Sequence, residues 1–360
     1  MVVLTLPRAQ QHGQRHTLHK TPIHISGLAC VTGQTSETKD HAIAKGAYTQ
    51  AQAQKDGYSA VKTTQTSVPD MSMRVADSAL AQAQLSGGDL GLVVATSIHD
   101  HGHARLWQPA AYIKHNVGAQ GALAWSTSFG CNGLVISVLQ AALLQPSLKT
   151  PVLAVGADRF DGTGFNRWTS DQGLVYGDAA SAVALSGKSG FAELLYLAVD
   201  YAPELEALHR HPTPTYLEAG AAWDITACKR GYIDTYGGSA FFDALNGLLD
   251  DAEAGLKHFL EHQGITLKAV VTPFVGESIR ATTYDARFHP MAALNTSAFG
   301  ASVGHTGTSD PFLGFAHLID SKAVEPGDHV LLIGAGAGFS ISAMVVRLNA
   351  RPVHPLLGDI

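Results

Sequence analysis

Short apolar runs closed by turn residues alternate along this chain with longer stretches of helical periodicity. The runs IHISGLAC (23–30), DLGLVVATS (89–97), LAWSTSF (123–129), PVLAVGADR (151–159) and SAVALS (181–186) predict strands. FAELLYLAVDY (191–201), KAVVTPF (268–274), HVLLIGAGA (329–337) and FSISAMVVRL (339–348) continue the series. Helical patterns fall at 107–116, 131–145, 239–262 and 310–321. Because the strands are apolar throughout rather than at alternate positions, they predict sheets covered by helices on both faces, an α/β fold. The polar segment 48–69, rich in Gln, Thr and Ala, predicts a surface insertion. Residues 1–21, which turn polar after a few apolar positions, predict a flexible N-terminal extension.

The pattern occurs twice. In the first half Cys131 opens a helical stretch, and the next strand starts at Pro151. In the second half His305 precedes a helical stretch, and the matching strand starts at Pro326. Each of these strands is followed by a second apolar strand, SAVALS in one case and FSISAMVVRL in the other. Small-residue loop, helix, strand and strand thus recur in one order at nearly equal spacing. The repeat predicts a duplicated chain divided into 22–187, with Cys131, and 188–360, with His305. Equivalent loops of a duplicated fold can meet at its pseudo-twofold axis, so Cys131 and His305 are expected to be neighbours.

Both loops carry reactive chemistry. In STSFGCNG, Gly130 and Gly133 leave room around the Cys131 sulfur and permit a tight strand-to-helix turn. Free backbone N–H groups at a helix start favour a thiolate and can receive an oxyanion when a thioester carbonyl is attacked. In GHTGTSD, His305 is a candidate general base and Asp310 a candidate carboxylate to orient its ring. Asp310, directly before Pro311, also suits a helix cap, and the two roles are compatible.

Composition narrows the remaining possibilities. Hydrophobic residues make up 46% of the 360 and charged residues only 15%, against about 25% charged in an average soluble protein. Extensive burial follows. A net charge of −6 without a basic stripe gives no reason to expect nucleic acid, and no run approaches the roughly 20 apolar residues of a membrane span. The three cysteines, Cys30, Cys131 and Cys228, are too scattered for a disulfide framework or a zinc site, which points to reduced thiols in the cytoplasm. HDHGH (99–103) has no second ligand cluster and suits a solvated loop, so neither a metal nor another cofactor is called for. GAGAG (334–338) leads into a strand rather than a helix, which argues against a dinucleotide loop. His209 and His211, in LHRHPTP, suit either a surface loop or the wall of an acceptor pocket.

STSFGCNG, VGADRF (155–160), YGDAASAVALS (176–186) and PGDHVLLIGAGAGF (326–339) together resemble the β-ketoacyl-acyl-carrier-protein synthase III type of thiolase-fold enzyme, over residues 22–350. The resemblance implies a thiolase-like duplicated fold with five layers, α-β-α-β-α, in which two five-stranded sheets sandwich helices. It also implies a homodimer and acyl transfer through a Cys131 thioester supplied by an acyl carrier protein or acyl-CoA. Condensing members of the family carry a histidine after the proline of the strand written here KAVVTPF, where this chain has Phe274. Their asparagine position falls on His305. The pair that stabilises an enolate in decarboxylative condensation is therefore replaced, and Cys131, His305 and Asp310 match a branch that uses Cys–His–Asp for acyl transfer in natural-product pathways. On this reading Phe274, His211 and Gly338 are candidate substrate contacts and the acceptor is a small molecule with a hydroxyl, sugar or amine. Decarboxylative Claisen condensation is the alternative.

Overall fold

The computed structural model describes residues 3–5, 22–98, 106–161, 164–211 and 224–360. Its strands are β1 (Val3–Thr5), β2 (Ile23–Thr32), β3 (Thr35–Thr38), β4 (Ala60–Thr63), β5 (Leu92–Thr96), β6 (Leu123–Thr127) and β7 (Val152–Asp158), followed by β8 (Ala179–Ser186) and β9 (Ala192–Tyr201). The series ends with β10 (Leu267–Val271), β11 (Ala292–Asn295), β12 (His329–Gly336), β13 (Ser340–Leu348) and β14 (Leu357–Asp359). The helices that matter here are α1 (Val68–Ala83), α2 (Pro109–Asn116), α3 (Gly133–Leu148), α4 (Ile225–Tyr236), α5 (Gly238–Gln263), α6 (Ser297–Val303) and α7 (Asp310–Asp320).

The strand order states the duplication. The first half runs β6-β5-β7-β8-β2 and the second β11-β10-β12-β13-β9, so each half orders its own strands third, second, fourth, fifth, first. Directions repeat as well: β5 is parallel to β6 and β7 as β10 is to β11 and β12, and the remaining pairs are antiparallel in both halves. The two sheets are joined into one where β2 meets β9 over Ile23–Ile25. Residues Val3–Thr5 are not a loose extension, as expected from the sequence, but add to β9 as a parallel strand with Val3 opposite Tyr196.

Helices α3 and α7 lie between the sheets. One buried cluster unites Leu134, Val138 and Ala142 of α3 with Phe312, Phe315 and Ile319 of α7 and with Val94, Val183, Val271 and Met344 of both sheets. A helix apolar on every face can be stable in water only when covered all round, and α3 is so apolar that its length and composition would suit a membrane span. Here both sheets cover it. On the outer face of the first sheet α1 and α2 contribute Met71, Val75 and Ile113 to a second cluster. On the outer face of the second, α4 and α5 contribute Tyr232, Leu249 and Phe259 to a third. The order helix, sheet, helix, sheet, helix is the five-layered α/β arrangement expected from the resemblance.

Segment 48–69 corrects its sequence reading. It is no surface insertion, because Tyr48, Ala53, Tyr58 and Val61 pack with Trp168 and Val175 into a buried cluster. Its polar residues cap a short helix, Gln50–Asp56, through a capping box at Thr49. Their Gln and Thr content reflects that exposed face, while every few positions an apolar side chain turns inward. The Tyr58 hydroxyl donates to the carbonyl of Phe274, 2.7 Å away, which ties this segment to the second half of the chain. Tyr58→Phe is expected to cost about 0.5–1.5 kcal/mol, the usual net worth of one such bond, whereas the exposed Gln54→Ala should stay within about 0.5 kcal/mol. Urea unfolding of the two variants distinguishes an integrated segment from a loose one.

Candidate active site

Between β6 and α3 the chain turns sharply. Gly130 takes a φ of +55°, favourable only to glycine, and a side chain there would lie 2.7 Å from the backbone nitrogen of Ala337. Cys131 stands two residues before the first helical residue rather than opening the helix, and Asn132 occupies the cap position without bonding the helix end. The Asn132 side chain instead donates to the Ser340 hydroxyl at 3.1 Å and accepts from that of Ser342 at 2.7 Å. These bonds fasten the cysteine turn to β13 of the other half. GAGAG serves the same contact, because a Cβ on Gly336 would meet Asn132 N at 2.6 Å and Phe129 O at 2.7 Å. Close backbone approach, not a phosphate, explains these glycines.

The His305 loop crosses in the opposite sense. Gly304 turns it with a φ of +87°. The His305 N–H then donates to Val175 O at 2.8 Å, and its carbonyl accepts from Gly177 N at 3.0 Å. Residues of the YGDAAS stretch therefore hold the second half's loop, and the Tyr176 ring meets the imidazole edge-on at 5.1 Å. Two carboxylates explain the remaining motif positions. Asp158 of VGADRF accepts from the N–H and hydroxyl of Thr308 at 3.0 and 2.9 Å. Asp178 of YGDAAS takes two bonds from Arg167 and one each from Thr64 N and Phe160 N.

Cys131, His305 and Asp310 come together across the halves. The Cys131 Sγ is 3.0 Å from His305 Nε2, and His305 Nδ1 is 2.6 Å from Asp310 Oδ2. Asp310 is 2% exposed and is the first residue of α7, with Ser309 at the cap position. Its Oδ2 also accepts from Phe274 N at 2.8 Å, and its Oδ1 from Thr306 N and Thr306 Oγ1 at 2.7 and 2.6 Å. Burial by itself pushes the His305 pKa down, but the charges and hydrogen bonds of Asp310 and Cys131 outweigh it and hold the imidazole well above its ordinary range. The arrangement can keep a thiolate beside an imidazolium, and it leaves Nε2 free once the sulfur is acylated.

A cavity of about 680 Å³ opens over Cys131 and His305, walled largely by apolar and aromatic side chains such as Phe160, Phe165, Phe241 and Leu245. Phe274 is not on its wall: the ring packs edge-on against Phe299 and over Gly300, and the backbone serves Asp310. Gly338 is at the tip of the β12–β13 turn with a φ of +106°, flanked by Ala337 and Phe339, which do line the cavity. His211 packs edge-on against Tyr236 while its neighbour His209 lines the cavity. HDHGH lies outside the described residues. Sequence reasoning missed Asp171, Lys229 and Tyr284, all on the cavity wall. Tyr284 sits in a π-helical turn, a feature frequent at functional sites, that no periodicity announces. Burial first, then the charges of Cys131 and Asp310, raise its hydroxyl pKa far above the ordinary value, so it remains a neutral donor.

Residues 279–348 match the family described as 3-oxoacyl-[acyl-carrier-protein (ACP)] synthase III C terminal. The chain is 25% identical over 304 residues to a β-ketoacyl-[acyl-carrier-protein] synthase III of Porphyra purpurea, covering 78% of this chain and 85% of that one. It is 26% identical over 279 residues to the enzyme of that name from Pseudomonas aeruginosa, covering 77% and 81%. Among solved structures ChlB3, described as an acyltransferase, superposes with a TM-score of 0.84 at 27% identity, over 92% of this chain and 99% of that one.

Removal of the Asp310 charge tests the electrostatics. Asp310→Asn should lower the His305 pKa, since the foremost influence raising it is gone and burial remains. Imidazole NMR titration reads the shift directly. The sign for stability follows: a raised folded-state pKa contributes stability in full below about pH 6.5, the ordinary histidine value, and loses it as pH climbs through the folded value. The wild type should therefore show this loss and Asp310→Asn should not.

Proposed function

We propose that this chain, a ketoacyl synthase III-like enzyme, accepts an acyl group from a carrier-protein or coenzyme A thioester on Cys131 and passes it to a hydroxyl of a small molecule. The observation that carries this reading is the Cys131–His305–Asp310 relay, with distances of 3.0 and 2.6 Å. Sulfur attack on the donor carbonyl expels the donor thiol and leaves a thioester on Cys131. Acylation also removes the thiolate charge that helps hold His305 protonated, so the imidazole gives up its proton more readily in the acyl-enzyme. The acceptor oxygen then attacks the thioester carbon, His305 Nε2 takes its proton, the C–S bond breaks and Cys131 departs as the thiolate that His305 reprotonates or pairs with. Asp310, through Nδ1, keeps the ring oriented and offsets the imidazolium charge.

Several features support transfer over condensation. Phe274 stands at the position that the resemblance gives to the second imidazole of the condensing members, and its ring is turned away from the cavity. The structural likeness to ChlB3, described as an acyltransferase, favours acyl transfer, and the resemblance to the Cys–His–Asp branch favours a role in a natural-product pathway. We further propose a cytoplasmic homodimer. The free thiols of Cys30, Cys131 and Cys228 favour the first, and the edge strand β6, where Leu123 is 57% exposed, offers a surface for the second.

Incubation with an acyl thioester should add one acyl mass to the peptide carrying Cys131, and Cys131→Ala should carry none. His305→Ala should slow discharge to an alcohol by about 10²–10⁴, the usual contribution of general-base assistance, with a smaller effect on acylation. Release of carbon dioxide from a malonyl donor in step with product would assign the chain to condensation instead.

A further inference from the structure

Within the aromatic cavity the polar groups are grouped rather than scattered. Lys229 Nζ donates to Asp171 Oδ1 at 2.5 Å, and the Tyr176 hydroxyl donates to Asp171 Oδ2 at 2.9 Å. Asp171 is 3% exposed, so the acidic end of this ion pair is buried within a hydrogen-bond network while the Lys229 side chain is only partly buried. Lys229 retains ammonium hydrogens beyond the one given to Asp171, and it lies on the cavity wall. Beside the pair His209 stacks on Phe339, centroids 6.3 Å apart and planes 12° from parallel. Its Nδ1 is buried and has no hydrogen-bond partner among the described residues. Burial foremost, and then the Lys229 charge, lower its pKa to about 4, so the ring is neutral at physiological pH.

A neutral imidazole with an unmatched buried nitrogen is costly in an apolar wall unless a ligand supplies the partner. The transfer chemistry uses none of these groups. They nonetheless adjoin it on two sides: the Tyr176 ring that holds Asp171 also abuts His305, and Phe339 beneath His209 follows the Ala337–Gly338 turn that packs on Gly130. The cluster is therefore about one tyrosine ring away from the imidazole that receives the acceptor's proton.

We propose that His209, Lys229 and Asp171 form a subsite for a second hydroxyl of the acyl acceptor, which makes the substrate an uncharged diol or polyol and not a simple alcohol. This rests on the reading that the enzyme acylates a hydroxyl. One hydroxyl faces His305 and attacks the thioester. The other donates to or accepts from His209 Nδ1 and accepts from Lys229, and the aromatic wall covers the carbon framework between them. His209 is a positioning residue that leaves the proton transfer to His305.

Cyclohexanol and the positional isomers of cyclohexanediol share one ring and differ by a hydroxyl, which makes them suitable probes. Enzyme acylated on Cys131 is mixed with each, and ester formation is timed by mass spectrometry. At least one diol should be acylated about 10–100-fold faster than cyclohexanol per hydroxyl, since a site built to bond a hydroxyl rejects the analogue lacking it. His209→Phe should collapse that ratio through a higher KM for the diol. Lys229→Met should reduce it as well, with unfolding curves checking that the variant stays folded once Asp171 has lost its cation. A merely structural role for His209 would slow both probes in parallel and leave the ratio standing, which overturns the subsite, as does a wild type that treats every diol like cyclohexanol. If water discharges the acyl group faster than any of these alcohols, the hydroxyl-transfer reading itself fails and the subsite falls with it.

Discussion

Asp310 is buried at the start of a helix, and its two oxygens take bonds from His305, Phe274 N and both donors of Thr306. Burying a carboxylate this completely is costly, and the donors and the helix N-terminus around it offset that cost. The donors come from two parts of the chain, the His305–Thr306 loop and Phe274. Thr306 closes the loop that presents His305. Phe274 N is the last group of the strand β10 side, whose carbonyl in turn receives Tyr58. The imidazole depends on Asp310 for orientation and for charge. One buried anion thus fixes the loop, the segment that follows β10 and the orientation of the His305 ring together.

The same logic explains the other buried polar positions of the chain's motifs without assigning them chemistry. Asp158 and Asp178 are fully buried and spend their oxygens on loop N–H groups and on Arg167. They hold the surroundings of the reactive residues in place, as a rigid support must if a 3.0 Å contact between Cys131 and His305 is to form across two halves of a chain. Burying such anions is expensive in isolation, and each is matched by donors that would otherwise be unsatisfied themselves.

Much of this was legible in the residues. Continuous apolar runs located nine of the ten strands of the two halves to within a few positions, because strands covered on both faces have no polar side to blur the pattern, whereas the short, partly exposed edge strand β11 was missed. The repeat of loop, helix and strand led from Cys131 to His305 over a long sequence interval. What escaped was governed by contacts that leave no local period. Segment 48–69 reads as polar because its short helix faces solvent, yet Tyr58 and Val61 are buried by residues distant in sequence. Phe274 was taken for a substrate contact from its place in a motif, whereas its ring belongs to the packing under α6 and its backbone to Asp310. Asp171 and Lys229 come from separate stretches and meet His209, which the sequence did offer for a pocket wall, only in the folded cavity.

The division of the reactive pair between repeats has a consequence for the life of the chain before it is complete. The half that emerges first carries the sulfur but no imidazole to activate it, and α3 has one sheet but not the second to cover it. The Cys131–His305 contact cannot form until β9–β13 have docked and the His305 loop has hydrogen-bonded to Val175 and Gly177. A nascent or half-unfolded polypeptide is in that sense chemically silent. Assembly of the Cys131–His305–Asp310 array thus becomes a report that both repeats have folded against each other.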